Sequence, residues 1–285
     1  MTDTDHVALL GTKGGPAIRP GSAMPTSSLV TLEGQRIVVD CGLGVSRGLC
    51  DQGMALADLT TIFVTHLHSD HYLELGPLLH TAWTAGLRTH VTVWGPPGLD
   101  RYWKGFLASL ADDIDLRIAD EGRPDLRGLV TIHPLEAGMV THIGPIEVRA
   151  LRVDHPPLTD CFALSFAGRK RVVFSADTAP FPPLADFARG ADLLIHEAML
   201  PQAVQALVAR VGNGDGRLLR HIERSHTAAE DAARIATLAG VHALALHHLL
   251  PSDDPNFGPE DWTAAVAPHW SGPLYLGRDG LRIPL

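Results

Sequence analysis

Short apolar runs rich in β-branched residues, each bounded by turn formers, recur along the chain at 35–40, 60–65, 90–94, 146–153, 171–175, 192–196 and 241–247. Such runs predict strands. Helical spacing lies between several of them. The clearest case covers 228–239, with Thr227 and Glu230 in a Thr-x-x-Glu capping box at its start and Gly240 at its end. A second helix is predicted after Tyr72, through Leu75, Leu78 and Leu79 toward Trp83. Strands alternating with helices predict an α/β layered protein. The stretch 11–28 is rich in Gly, Pro and Ser and is framed by strand-like segments, so it is expected to be an ordered loop near a site or a turn. The stretch 200–224 opens as an apolar helix and then carries Gly212, Asn213, Gly214 and Gly216, the pattern expected of a mobile flap. No fixed-period repeat, low-complexity tract or linker divides the chain, which reads as one domain over 1–285.

Composition narrows the class. With 285 residues, 45% hydrophobic and 19% charged, the chain can bury a substantial core. A formal charge of -9 argues mildly against a protein built to grip a phosphate backbone. Residues 1–10 have neither a basic start nor an apolar segment, and no apolar run approaches the roughly 20 residues of a membrane span. A cytoplasmic protein with no membrane partner is therefore expected. The three cysteines, Cys41, Cys50 and Cys161, are expected to be reduced thiols.

Sixteen histidines change the picture. Directly after the apolar run 62–65 comes His66-Leu67-His68-Ser69-Asp70-His71, so four candidate ligands leave one strand end together. Imidazole suits zinc and similar borderline cations, and a carboxylate adds charge and can hold or orient a second ion. In an extended stretch His66 and His68 project to one side and can share a metal, while Asp70 and His71 lie past the bend, within reach of a neighbouring ion. Such a cluster has no packing purpose.

This His-x-His-x-Asp-His run after an apolar strand resembles the signature of the metallo-β-lactamase superfamily, and the later motifs of that superfamily follow in order over nearly the whole chain. Asp40 in Val39-Asp40-Cys41-Gly42 matches the early aspartate that supports the site from behind the ligands. His155 in Asp154-His155-Pro156 matches the third-motif histidine, and Asp177 in Ser175-Ala176-Asp177-Thr178 matches the metal-bridging aspartate. His248 in His247-His248-Leu249-Leu250-Pro251 matches the last ligand, with His247 as its rival. The resemblance implies an αββα sandwich of two mixed β-sheets packed face to face, with helices on both outer faces. It also implies one metal on His66, His68 and His155, a second on Asp70, His71 and His248, and Asp177 between them. Two Zn2+ per chain are expected, with Mn or Fe as other occupants of such a site.

Two further stretches, Ile195-His196-Glu197-Ala198 and Ser225-His226-Thr227-Ala228-Ala229-Glu230, resemble motifs of the ribonuclease Z and arylsulfatase-like branch. That likeness implies that Glu197 orients His226, a pairing suited to proton transfer to a leaving group. Asp70, Glu197 and His226 are the expected catalytic residues; no residue is assigned to substrate binding. The chain also departs from ribonuclease Z. Cys161 and Phe162 stand where those enzymes carry Gly-Tyr, and Leu250-Pro251-Ser252-Asp253-Asp254 replaces a Ser-Pro-Arg-Tyr type sequence, placing acids where a cation would be. The segment 102–127 is mixed in charge, with Asp112, Asp113 and Asp115, and does not resemble a Gly- and Lys-rich tRNA clamp.

The leading expectation is therefore a hydrolase that uses metal-activated water on a small-molecule ester, lactone, phosphodiester or sulfate ester, with nucleic acid disfavoured as a partner. Its rivals are a ribonuclease Z-like tRNA 3′-processing endonuclease and a metal-binding sensor or interaction module on the same scaffold. Homodimerisation is an expectation carried by the resemblance alone. Trp83, Trp94, Tyr102, Trp103 and Phe106 either wall an apolar pocket or belong to the core.

Overall fold

The structure, a computed structural model, describes residues 4–285; the first residues of the expected leaderless start, Met1 to Asp3, lie outside the described residues. Among the described residues, fourteen strands form two seven-stranded sheets. The first sheet takes β1 (His6–Gly11), β2 (Ser27–Leu32), β3 (Gln35–Cys41), β4 (Thr61–Phe63), β5 (Val91–Gly95) and β6 (Val130–Pro134). The second takes β7 (Gly138–Ile143), β8 (Ile146–Arg152), β9 (Phe162–Ala167), β10 (Arg171–Phe174), β11 (Leu193–Met199), β12 (Ala243–Leu250) and β13 (Leu274–Leu276), and β14 (Leu281–Pro284) returns to the edge of the first beside β1. Each sheet is antiparallel on one side and parallel on the other. The parallel parts are β3-β4-β5-β6 and β10-β11-β12-β13.

Strand periodicity explains the layers. In β1, Ala8 and Leu10 face outward into a helix-covered cluster, whereas Val7 and Leu9 face the other sheet. The layer between the sheets is apolar throughout, with Phe63, Phe162, Phe166, Phe174 and Ile195 among its members. On the outer face of the first sheet lie α1 (Val45–Asp51), α2 (Ser69–Tyr72), α3 (Leu75–Thr84), α4 (Leu99–Ser109) and α5 (Ala111–Glu121), whose Leu49, Leu78, Trp83, Trp103 and Ile114 fill one cluster. On the second sheet lie α6 (Pro183–Phe187), α7 (Pro201–Val211), α8 (Arg217–Ser225), α9 (Ala229–Ala239) and α10 (Pro259–Val266). The alanine-rich face of α9 packs closely on β11 and β12. This is the αββα sandwich, an α/β fold, that the resemblance implies.

Several expectations change. The helix at 229–239 forms and ends on Gly240 with φ 61°, but the capping box does not: no side chain caps it. Thr227 is buried and donates its hydroxyl to the Thr178 carbonyl at 2.7 Å instead, while Glu230 is exposed. Tertiary contacts near the site thus outcompete the local cap. The expected flap at 200–224 is the helical pair α7 and α8, which buries Val204 and Ile222 against Met199 and Leu250. The aromatic series does not wall one pocket. Trp83 and Trp103 are core residues, Trp94 stacks on His133 toward the layer between the sheets, and Tyr102 and Phe106 border a separate hollow. No helix among the described residues is long and apolar enough to cross a membrane.

Candidate metal centre

The candidate ligands leave the C-terminal ends of the parallel strands, where open α/β sheets place their functional groups. Asp40 ends β3, the run from His66 to His71 follows β4, Asp177 follows β10, and Glu197 and His248 lie near the ends of β11 and β12. His155 comes from the loop after β8. Alternation along β11 separates neighbours. Leu193 and Ile195 face the layer between the sheets, and so does Glu197; Leu194, His196 and Ala198 face the helices. His196 is thus excluded from the site. It is fully buried, donates Nδ1 to the Glu197 carbonyl at 2.7 Å, and burial holds its pKa down to about 4.

Two β-bulges aim the side chains that plain alternation would misplace. Ser27 pairs with Cys41 and Ser28 with Val39, leaving Asp40 as the extra residue; Glu197 pairs with His247 and Ala198 with Leu249, leaving His248. Both bulged residues adopt left-handed backbone, with φ of 61° and 46°, a conformation that costs a non-glycine residue free energy and persists where surrounding structure enforces it. The same geometry decides between the adjacent histidines. His248 lies among the other candidate ligands, whereas His247 donates Nε2 to the Gly11 carbonyl at 2.9 Å.

All seven candidate ligands converge. Potential donor atoms of His66, His68, His155 and Asp177 lie within 4.8 Å of one another, as do those of Asp70, His71 and His248. Asp177 is the hub. Its Oδ2 has Nε2 of His248 at 3.1 Å, His71 at 3.4 Å, His66 at 3.6 Å and His155 at 3.8 Å. Nδ1 of His68 faces Nε2 of His155 at 3.0 Å. Burial would raise the Asp177 carboxyl, but His248, His71 and His66 hold it well below the usual carboxylate range. Asp70 is depressed as well: burial opposes, and His71 and His248 prevail.

The surroundings fix which nitrogens face inward. Asp40 accepts Nδ1–H of His71 at 2.8 Å and the Thr65 backbone N–H at 2.8 Å, so Nε2 of His71 points at the cluster. His155 donates Nδ1 to the Ser225 carbonyl at 2.8 Å, so its Nε2 faces the cluster, 3.0 Å from Nδ1 of His68. Asp70 accepts the Gly15 N–H at 2.8 Å. Among the described residues, His66 Nε2, His71 Nε2 and Asp177 Oδ1, all at the cluster, are buried without a hydrogen-bond partner. Orphaned polar atoms cost about 1–3 kcal/mol each, so their convergence in one place fits a donor set completed by cations. Three imidazoles plus a carboxylate, and two imidazoles plus a carboxylate, suit divalent borderline metals.

Beside the cluster, Nδ1 of His226 lies 3.1 Å and 3.2 Å from the two Glu197 oxygens. Glu197 also accepts the backbone N–H of Thr178 at 2.8 Å and of Thr227 at 3.3 Å, which locks the carboxylate. Burial alone would lower the His226 pKa; the Glu197 charge and hydrogen bond, with Asp177, lift it to about 9.

Sequence reasoning missed three features. Lys13 and the Gly15 N–H enter the site from the loop at 11–28, for which only the glycine-rich composition gave a hint. Cys161, noted as a departure, donates its thiol to the Asp177 carbonyl at 3.2 Å and backs the hub. The acids after Leu250 do not stand as free negative charge. Asp253 pairs with Arg19 at 3.0 Å and Asp254 pairs with Arg210, so these two acids are locally neutralised.

A family model described as "Anti-Pycsar protein Apyc1" matches residues 7–214. The protein named ribonuclease Z of Mycobacterium bovis (strain BCG / Pasteur 1173P2) is 32% identical over 283 residues, spanning 98% of this chain and 97% of its own. In structure, the chain is similar to the metallo-β-lactamase fold protein YhfI from Bacillus subtilis (TM-score 0.71, 22% identity, 99% of each chain covered). It is also similar to the short form of human tRNase Z (TM-score 0.68, 20% identity, 98% of each chain covered).

Proposed function

The chain belongs to the metallo-β-lactamase superfamily, in its ribonuclease Z branch, and to the family described as Anti-Pycsar protein Apyc1, and from that premise we propose that it is a metal-dependent phosphodiesterase that cleaves RNA as its ribonuclease Z relatives are named for. The hydrolase class follows from the relatives; the bond and the residue roles are the proposal. One observation carries it: Asp177 of one donor set reaches to 3.4 Å of His71 and 3.1 Å of His248 in the other, directly beside a buried Glu197–His226 pair. The earlier expectation that nucleic acid is disfavoured is set back by curated relatives that match almost end to end and by the paired state of Asp253 and Asp254.

His66, His68 and His155 would hold one cation, Asp70, His71 and His248 a second, and Asp177 both. Bound there, such cations would supply positive charge beside the reacting phosphate and would make water nucleophilic near neutral pH. Asp70, clamped by the Gly15 N–H and beside His248, orients the attacking water. Glu197 holds Nδ1–H of His226 and stabilises its charged form, so that the imidazolium donates a proton to the departing oxygen from its other nitrogen. Asp40 keeps His71 in the tautomer that faces the cluster.

A second reading, a compact phosphodiester as substrate, is favoured by one observation. The cavity over the cluster measures about 370 Å³ and is walled on one side by Leu207, Val211, Leu218 and Ile222, a size and polarity suited to one nucleotide-like unit. Assays of purified protein on a tRNA precursor, bis(p-nitrophenyl) phosphate, p-nitrophenyl sulfate and a lactone separate the readings. Cleavage of the diester and of the precursor, the latter falling steeply with salt, is the expected result. Diester cleavage with an untouched precursor selects the compact substrate. Turnover of the sulfate or lactone alone overturns both.

A further inference from the structure

The loop between β1 and β2 delivers a buried cation to the candidate site. Thr12 to Gly15 is clamped on both sides. The Leu249 N–H donates to the Thr12 carbonyl at 2.8 Å, the Gly14 N–H to the Leu249 carbonyl at 3.0 Å, the Lys13 N–H to the Met24 carbonyl at 2.9 Å, and the Gly15 N–H to Asp70 at 2.8 Å. Gly14 presses so close to β12 that an added Cβ would stand 2.9 Å from the His248 ring. Lys13 is therefore held at the end of β12, next to His248, and it borders the same cavity as Asp70, Asp177, His226 and His248.

Its environment is unusual for a lysine. The residue is 3% exposed. Its Nζ donates to the Gly14 carbonyl at 3.0 Å, and its remaining donors have no partner among the described residues. Burial pulls its pKa down, against the opposing charge of Asp253; Arg19 pushes the same way as burial, and Asp70 opposes. Lysine is rarely buried unless paired, and a desolvated ammonium with unfilled donors is costly until an anion arrives. Asp253, the carboxylate that acts most strongly on Lys13, is paired with Arg19 and makes no ion pair with the ammonium. The acids that line the cavity with Lys13, Asp70 and Asp177, belong to the candidate donor sets, so an incoming anion is the partner that would fill the free donors.

We propose that Lys13 is a substrate-binding residue, its ammonium gripping a non-bridging oxygen of the substrate phosphate at the cavity floor. The inference deepens the phosphodiesterase reading and rests on it for the identity of the anion. It applies equally to an RNA phosphate and to a compact diester, because both present the same oxygen. A charge-assisted hydrogen bond of this kind changes affinity on the order of ten- to a hundredfold.

The test uses the metal-loaded full chain, with inorganic phosphate as the binding probe by calorimetry and bis(p-nitrophenyl) phosphate as the kinetic probe. Lys13→Met removes the charge. Lys13→Gln keeps a donor for the Gly14 carbonyl without the charge, and Lys13→Arg keeps the charge. Phosphate affinity is expected to fall ten- to a hundredfold in the Met and Gln variants and to recover in large part with Arg, while metal content and Tm stay near those of the wild type. For the diester, KM is expected to rise by a similar factor with a smaller change in kcat. If Gln binds phosphate as tightly as the wild type, or the wild type binds none, the proposal fails and Lys13 serves the loop alone. Should the wild type bind phosphate through Lys13 yet cleave no phosphodiester, the phosphodiesterase reading fails and the anion site stands.

Discussion

At the residue scale, the chemistry depends on which nitrogen of each imidazole is committed elsewhere. Asp40 occupies Nδ1 of His71, and the Ser225 carbonyl occupies Nδ1 of His155, so both rings offer Nε2 to the cluster. Asp40→Ala is expected to weaken metal affinity ten- to a hundredfold, read by chelator competition, with little effect on the far-UV spectrum. His226 is held charged by Glu197: its pKa, raised to about 9, means that the protonated form persists at neutral pH and is lost as pH rises through that value, earlier once cations are bound. The alkaline limb of the kcat/KM profile is expected to report this loss. Glu197→Gln should move that limb to lower pH and reduce kcat by roughly 10²- to 10³-fold at unchanged metal content; an unmoved limb contradicts the role assigned to the pair. The cluster at 66–71 was legible in the sequence because three histidines and an aspartate at a strand end have chemistry but no packing use; Asp40, His155, Glu197 and His226 were legible only through the family resemblance of their motifs. Lys13 was not, since a single lysine in a glycine-rich loop looks like any solvated lysine until the fold buries it.

At the element scale, the two bulges matter more than the strands they interrupt. They turn Asp40 and His248 toward the cluster at left-handed φ. Glycine tolerates that backbone and alanine does not, by roughly 1–2 kcal/mol. In metal-free protein His248→Gly is therefore expected to melt higher than His248→Ala, the reverse of the usual order in a strand, while both lose affinity for a cation. Gly14→Ala tests the loop clamp: its Cβ would meet Leu250 at 2.5 Å and the His248 ring at 2.9 Å, so metal affinity and kcat are expected to drop with only a small fall in Tm. Element type was readable where periodicity was strong, as in β11, β12 and α9. The bulges were hidden because no side chain encodes a positive φ. The cap at Thr227 was misread because its hydroxyl serves Thr178 instead, and the glycines at 212–216 suggested a flap where they join α7 to α8. The helices α4 and α5 were not legible because they bury few side chains, Leu99, Trp103 and Ile114, among mixed charges, so their apolar stripe is thin.

At the scale of the whole molecule, two sheets of matching design place the C-terminal ends of their parallel strands at one edge of the sandwich, and segments far apart in sequence meet there. The layered architecture and the order of motifs were evident from the chain; the pairing of Asp253 with Arg19 and of Asp254 with Arg210 was not, because charge partners distant in sequence become visible only in the fold. The proposed catalysis depends on Asp177, whose Oδ2 lies within 3.8 Å of His66, His71, His155 and His248 and whose Oδ1, with Nε2 of His66 and His71, is left unpartnered inside the protein. The most direct measurement strips the protein with a chelator and follows phosphodiesterase rate and metal content together as Zn2+ is returned, for the wild type and for Asp177→Ala. The expected result is an inactive stripped chain, activity regained as about two equivalents bind, and neither binding nor rate recovered in the Asp177 variant. A stripped wild-type chain as active as the untreated one, or an Asp177→Ala chain that binds two equivalents and turns over normally, would contradict it.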